Sequence, residues 1–311
     1  MEKIIFDTDI GGDCDDTGAL AILQQAVKQG KAKLLGVTLS TASPYAPGCS
    51  DAINRYYKNV LPIGQTKRPP PGEDTGFYDQ SYGRHIHDVF DHAYKVGRGN
   101  VAEDAVRLLR RLLSQNEGDK ITIVVVGSCI NIAGLLDSGA DDISPLTGKE
   151  LMEKSVKQLS LMGCFFPTKE VPEVWFGDFK MEAECNIVVD IASAQTVFTK
   201  CPVPVVVSHY LIGYKIRTGG ILIEKERENP VAESYFVHSH GDRESWDPIS
   251  SYYAVCGFGD ILTAEGRGVV TIDEKGVSTF VSDKDGKHIL LGCPDFQKAK
   301  ERLDGCMLGE F

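Results

Sequence analysis

No run of this 311-residue chain is long and apolar enough to span a bilayer, and no two of its nine cysteines form a C-x-x-C pair. The first absence argues against a helical membrane anchor. The second argues against a zinc ribbon or a thioredoxin-type redox centre. The cysteines sit in apolar contexts, such as Cys201 before Pro202-Val203 and Cys256 after Ala254-Val255. An odd number of thiols so placed reads as buried free cysteines in a reducing cytoplasm. Positive charge is also short, with 33 Lys and Arg against 44 Asp and Glu and a formal net charge of −11. That balance argues against nucleic acid or an anionic membrane as partner. Met1-Glu2-Lys3 leads straight into a strand-like run, which leaves no room for a signal peptide. There is no internal repeat and no low-complexity linker, so the length suits one large α/β domain or two small ones.

Acid, by contrast, is concentrated. Five aspartates fall in the run Phe6-Asp7-Thr8-Asp9-Ile10-Gly11-Gly12-Asp13-Cys14-Asp15-Asp16. Ile4-Ile5-Phe6 before it reads as a buried strand, and Ala19-Leu20-Ala21-Ile22-Leu23 after it as a helix. So many anions in one strand-to-helix turn repel one another at neutral pH. A hard divalent cation relieves that repulsion, and calcium takes about six to eight oxygen ligands. The alternative, a solvated turn with Asp15 or Asp16 as helix N-cap, needs one aspartate and not five.

Apolar runs alternate with helical patterns along the rest of the chain. Lys3–Phe6, Leu34–Leu39, Leu61–Gly64, Ile121–Val126, Gln158–Met162, Ile187–Val189 and Val203–Val207 read as strands. Asp16–Lys28, Ser50–Lys58, Ala102–Gln115, Asn131–Leu136 and Ile191–Phe198 read as helices. In Ala102–Gln115, Ala105, Leu108, Leu109 and Leu112 share one face, with Arg107, Arg110 and Arg111 mostly opposite. The alternation predicts a single α/β domain over residues 1–311, with a mainly parallel, Rossmann-like sheet and helices on both faces. Thr66–Gly99 and Pro167–Glu184 are long irregular connections, suited to lids or substrate loops. From Gly266 onward, turn signals at Asp273–Gly276 and Asp283–Gly286 separate further strands.

Ligands of a parallel sheet bind beyond the carboxyl ends of its strands. That rule gathers Asp7–Asp16, Ser40-Thr41-Ala42, Gly127-Ser128-Cys129-Ile130-Asn131 and Met162-Gly163-Cys164. The Gly127–Asn131 turn could offer a backbone carbonyl to a metal. Asp247, in Ser245-Trp246-Asp247-Pro248, fits a helix N-cap with Pro248 at the first helical position. It also fits a remote carboxylate completing a metal shell. Glu184 and Asn186, two apart, would face one side of an extended segment and suit a polyhydroxylated ligand. An ordinary exposed strand start is the alternative. His85, His87, His92, His238, His240 and Asp242 stand in loop-like segments as possible proton donors.

The run Asp7-Thr8-Asp9-Ile10-Gly11…Asp15-Asp16…Ala19-Leu20 resembles the N-terminal signature of the inosine–uridine-preferring nucleoside hydrolases. Gly127-Ser128-Cys129-Ile130-Asn131-Ile132-Ala133 resembles that family's glycine–proline–leucine–threonine–asparagine turn. Met162-Gly163, Glu184-Cys185-Asn186 and Trp246-Asp247-Pro248 match three more family blocks in order. The resemblance implies a nucleoside-hydrolase-type fold and calcium-dependent hydrolysis of the N-glycosidic bond of ribonucleosides. It implies calcium on Asp9, Asp16, Asp247 and the main-chain carbonyl of Ile130, with Asp9 also the base for a metal-bound water. Asp15 would bind a ribose hydroxyl, Asn186 the 3′-hydroxyl side and Glu184 the 5′-hydroxyl. Met162 would line the sugar site, and Asp178 stands where an asparagine often contacts the sugar. Asp7 would buttress the loop, with Asp13 and Asn131 in support. A small ribonucleoside as partner and a cytoplasmic homo-oligomer, dimer or tetramer, complete the expectation.

The chain departs from the family pattern in two places. Its loop carries two extra residues between the aspartate pairs, and Asp13 has no fixed counterpart. Trp246 stands where one branch has a histidine as leaving-group acid. An indole there is either a stacking surface for the base, with His240 or Asp242 as proton donor, or a core aromatic. Two rival classes share part of the pattern. A haloacid-dehalogenase-like phosphatase also places Asp-x-Asp after an apolar strand, but usually has a hydroxyl residue where Gly11 stands and no Asp15-Asp16 pair. A non-enzymatic ribose- or nucleoside-binding protein would keep Asp15, Glu184 and Asn186 without needing a base. An EF-hand fails, because Gly11 and Gly18 occupy two ligand positions.

Overall fold

The computed structural model describes residues 1–96, 101–176 and 179–311. In chain order the strands are β1 (Glu2–Thr8), β2 (Ala32–Leu39), β3 (Ile63–Gln65), β4 (Glu103–Asp104), β5 (Ile121–Val125), β6 (Val156–Met162) and β7 (Trp175–Phe176). They continue with β8 (Phe179–Lys180), β9 (Val205–Ser208), β10 (Arg217–Thr218), β11 (Arg243–Glu244), β12 (Thr263–Ile272), β13 (Ser278–Ser282) and β14 (His288–Gly292). Ten of them form one sheet in the order β13-β12-β14-β9-β6-β5-β1-β2-β3-β4. The pairing is parallel throughout except around β12, which runs antiparallel to β13 and β14.

Successive residues of the central strands feed two different cores. Ile4, Phe6 and Val124 belong to one, whereas Ile5, Ile123 and Val125 belong to the other. Burial on both faces is why these strands read as unbroken apolar runs and not as alternating ones. Helices Asp15–Lys28, Trp246–Cys256 and Phe296–Met307 cover the first face. Helices Ala105–Gln115, Ile130–Asp137, Gly148–Ser155 and Ile191–Lys200 cover the second. The observed architecture is thus the expected mainly parallel α/β sheet with helices on both faces. Among the described residues no helix is long and apolar enough to cross a membrane.

Two local readings are corrected. Residues 187–189 are not a strand: Cys185–Val188 form a helical turn. Glu184 caps it, accepting from the amides of Asn186 and Ile187 at 3.0 and 3.2 Å, and those bonds outweigh the β-branched run. Arg110, read as opposite the apolar face of its helix, is not exposed there. It is buried at 1 % exposure, forks onto Asp141 at 2.8 Å and donates to the Leu146 carbonyl at 3.0 Å. Periodicity cannot reveal an arginine that carries its own distant partners inward.

The chain order places a crevice. β2 to β4 lie on one side of β1, and β5, β6 and β9 on the other. The carboxyl ends of β1 and β5 therefore flank a topological switch point, where such sheets bind ligands. The connection after β3 folds back over this point. Tyr82 accepts a hydrogen bond from the Gly11 amide at 2.8 Å, and a Cβ on Gly83 would lie only 2.5 Å from the Gly11 Cα.

Candidate active site

Asp7, the penultimate residue of β1, is fully buried. Its Oδ2 accepts from Thr38 on β2 and from Asn131 Nδ2 at 2.8 Å. Its Oδ1 has no partner among the described residues. Burial raises its pKa to about 7, against the pull of those two hydrogen bonds. The residue ties β1, β2 and the helix after β5 together beneath the loop.

Asp15, Asp16 and Asp247 form the acidic centre. They are 2 %, 2 % and 5 % exposed, and an oxygen from each lies within 4.8 Å of the other two. Asp15 Oδ2 accepts from the Asp247 amide at 3.1 Å, and Asp16 accepts from Thr8 Oγ1. Among the described residues no cationic side chain forms a hydrogen bond or ion pair with any of the three. Burial first, then repulsion from neighbouring aspartates, Asp9 and Asp13 among them, holds each pKa well above the ordinary carboxylate range. An all-oxygen donor set, buried and not paired directly with any cationic side chain among the described residues, fits a hard divalent cation. The N-cap reading of Asp247 is overturned: Ser245 holds the cap position and Asp247 sits in the first turn, its carboxylate turned to Asp15 and Asp16.

The structure brings Asp16 and Asp247 together, with Asp15 and not Asp9 as the third carboxylate of the triad. Asp9 stands beside it. Its pKa is raised to about 7 by burial and by repulsion from Glu73 and Asp13, and its Oδ2 lies 3.4 Å from the Tyr78 hydroxyl. Gly127 is what lets the turn after β5 come so close. A Cβ there would meet Ser40 Oγ, the Asp9 nitrogen at 2.7 Å and Asp9 Oδ1 at 2.8 Å. Ile130 opens helix Ile130–Asp137 three residues later.

Glu184, Asn186 and Met162 converge at the carboxyl ends of β5 and β6. Glu184 is 2 % exposed, and burial raises its pKa to about 7. Asn186 Nδ2 donates to the Val126 carbonyl at 2.9 Å and contacts Met162 Sδ at 3.2 Å. Glu184 and Asn186 sit at the cap and in the first turn of a helix and not on the extended segment the sequence suggested. Asp178 lies outside the described residues.

The remaining candidates are placed elsewhere. The Trp246 indole stacks on Tyr210 with centroids 5.2 Å apart, and its N–H donates to the Tyr210 carbonyl at 3.1 Å. The Arg243 guanidinium lies over the ring at 5.0 Å. The ring thus packs among protein groups, where the sequence suggested a base-stacking surface. His240 ends helix Pro230–Ser239 with φ 54° and meets Phe236 edge-on. Asp242 accepts from the Gly220 amide and pairs with Lys300, both at 2.8 Å. Asp13 pairs with Arg243 and His238. Two residues of the crevice escaped the sequence reading, Tyr78 and Glu73. Glu73 accepts from Thr41 Oγ1 and the Ala42 amide. The length of their connection was the one signal that pointed to them.

Comparison with known proteins shows the same fold. The chain resembles an inosine-uridine preferring nucleoside hydrolase structure from Bacillus anthracis at 17 % identity and a TM-score of 0.72, covering 99 % of this chain and 100 % of that one. It resembles a purine-preferring ribonucleoside hydrolase from Gardnerella vaginalis at 16 % identity and a TM-score of 0.72, covering 99 % of each. The structure of the type III effector XopQ complexed with adenosine diphosphate ribose is similar at 14 % identity and a TM-score of 0.69, over 99 % of this chain and 92 % of that one. No curated protein sequence matches the chain. The sequence profile of the inosine-uridine preferring nucleoside hydrolases matches residues 4–241. The chain therefore belongs to that family of ribonucleoside-hydrolysing enzymes.

Proposed function

We propose that the crevice hydrolyses ribonucleosides to ribose and free base with a calcium ion held by Asp16 and Asp247, completed by Asp9 and the Ile130 carbonyl. The observation that carries this reading is the buried Asp15–Asp16–Asp247 triad, which has no cationic partner among the described residues. When bound, calcium would supply a Lewis acid for the sugar hydroxyls and would make a nearby water modestly more acidic. Asp9 is the base that takes the proton of the attacking water. Asp15 binds a ribose hydroxyl. Asn186, its amide nitrogen already engaged by Val126 and Met162, keeps its oxygen for the 3′-hydroxyl. Glu184 faces the 5′-hydroxyl. The surrounding carboxylates stabilise the positive charge that builds on the sugar as the bond breaks. Asp7, Asn131 and Asp13 hold the loop. The nine unpaired cysteines support a reducing, cytoplasmic setting. The assembly is a dimer or tetramer, which light scattering measures.

The test is sugar release from inosine, uridine and adenosine, with a phosphate ester alongside. Sugar release that stops with chelator, and with Asp16→Ala, is the expected result. Phosphate release alone would point to the phosphatase class, and tight binding without turnover to a nucleoside-binding protein. Full activity with Asp16 and Asp247 both replaced would remove the metal from the reading.

A further inference from the structure

Asp13 is the most tightly paired aspartate of the loop. Arg243 grips both its oxygens, Nε at 2.9 and 3.1 Å and Nη2 at 2.6 Å. His238 Nε2 approaches at 3.2 Å. Arg243 is itself fixed. It pairs with Glu244 at 2.7 Å, lies over the Trp246 ring and sits on the short β10–β11 ladder opposite Thr218. Four residues after Arg243 comes Asp247; two and three residues after Asp13 come Asp15 and Asp16. The Asp13–Arg243 fork and the bond from the Asp247 amide to Asp15 therefore run side by side between segments about 230 residues apart. They join the N-terminal ends of helices Asp15–Lys28 and Trp246–Cys256, both of which carry carboxylates into the triad. Like charges there push the two ends apart, and the fork opposes that push.

We propose that Arg243, through Asp13, is a positioning residue that clasps the two halves of the cation site and so sets its affinity. The inference rests on the metal reading above. It competes with a simpler account in which Arg243 only offsets the charge of Asp13. The two accounts differ in sign. With charge alone, removing a cation beside an acidic centre tightens calcium binding. With a clasp, removing it loosens the site, and groups that orient metal ligands typically change affinity by about 10–100-fold.

The experiment is calorimetric titration of metal-free protein with calcium chloride, backed by thermal unfolding in chelator. Arg243→Gln is expected to weaken binding by about tenfold or more, with activity recovering as calcium is raised. Arg243→Lys keeps the charge but loses the fork, so it is expected to fall between Arg243→Gln and the wild type. Unchanged or tighter binding in Arg243→Gln overturns the clasp. Should Arg243→Gln fail to fold, Arg243→Lys decides alone: wild-type affinity in it overturns the clasp, and weakened affinity upholds it. Failure here is distinct from failure of the metal reading. If the wild type binds no calcium, both fall. If wild-type binding is lost in Asp16→Ala but kept in Arg243→Gln, the clasp alone falls.

Discussion

Trp246→Ala separates a packing role from a base-stacking role. The indole is 9 % exposed, stacked on Tyr210 and bonded through its N–H to the Tyr210 carbonyl. Truncating a buried Trp to Ala costs about 3–5 kcal/mol. The Tyr210 carbonyl left without its donor adds about 1 kcal/mol, and the lost Arg243 face contact about 0.5–1 kcal/mol. These terms overlap, so we expect about 4 kcal/mol in all. Against a total stability of about 5–15 kcal/mol that is a large fraction. Trp246→Phe keeps a ring in the stack and loses the N–H, for about 1–2 kcal/mol. The assay is urea unfolding followed by far-UV circular dichroism in excess chelator, so that disturbance of the adjacent Asp247 does not enter through metal loss. Trp246→Phe should remain active. A wild-type midpoint for Trp246→Ala together with collapsed activity would refute the packing argument and return the indole to the base.

Further outcomes are expected at the crevice. Gly127→Ala should cost far more activity than stability, because its Cβ would press on Asp9 at 2.7 and 2.8 Å; near wild-type turnover would show that the loop has room to yield. Asn186→Ala should weaken ribose-containing inhibitors by about 1–3 kcal/mol, the scale for an unpaired buried polar group, and unchanged inhibition constants would take Asn186 out of the sugar site. Deoxyribonucleosides should turn over poorly, since they lack the diol the cation would hold; comparable kcat/KM for 2′-deoxyinosine and inosine would contradict this. Asp9 and Glu184 titrate near 7 when folded without metal, against ordinary values of 3.8 and 4.5. The folded chain then binds more protons than the unfolded one between those values, so metal-free stability should fall as pH rises through that window. Urea midpoints in chelator that stay flat or increase between about pH 5 and pH 8 would contradict the assignment.

What could be read from the chain follows from where its physics is local. Ile4-Ile5-Phe6 and Ile121–Val125 are buried on both faces, so their strands were legible as apolar runs, and with them the parallel sheet. The aspartate loop was legible because a local charge density needs a local explanation. Residues 187–189 misled because a β-branched run carries no record of the cap beside it. There, Glu184 supplies two side-chain bonds and decides for the helix.

Asp247 and Trp246 mark the other limit. Asp before Pro is a good helix start by any local rule, and helix Trp246–Cys256 does start there. What a local rule cannot supply is the neighbour. The Asp247 amide meets Asp15 across 232 residues of sequence, and that meeting makes the carboxylate part of a triad. A helix start is itself a favourable place for an anion. Two helices that begin side by side can each carry acids into one centre, and the cap signal and the ligand signal then coincide in the same residue. The same ambiguity governs Trp246. An aromatic beside a ligand position can face the substrate or the core, and the choice here follows from Tyr210, whose ring and carbonyl both meet the indole. Residue type narrowed each position to two readings, and in each case a contact distant in sequence selects between them.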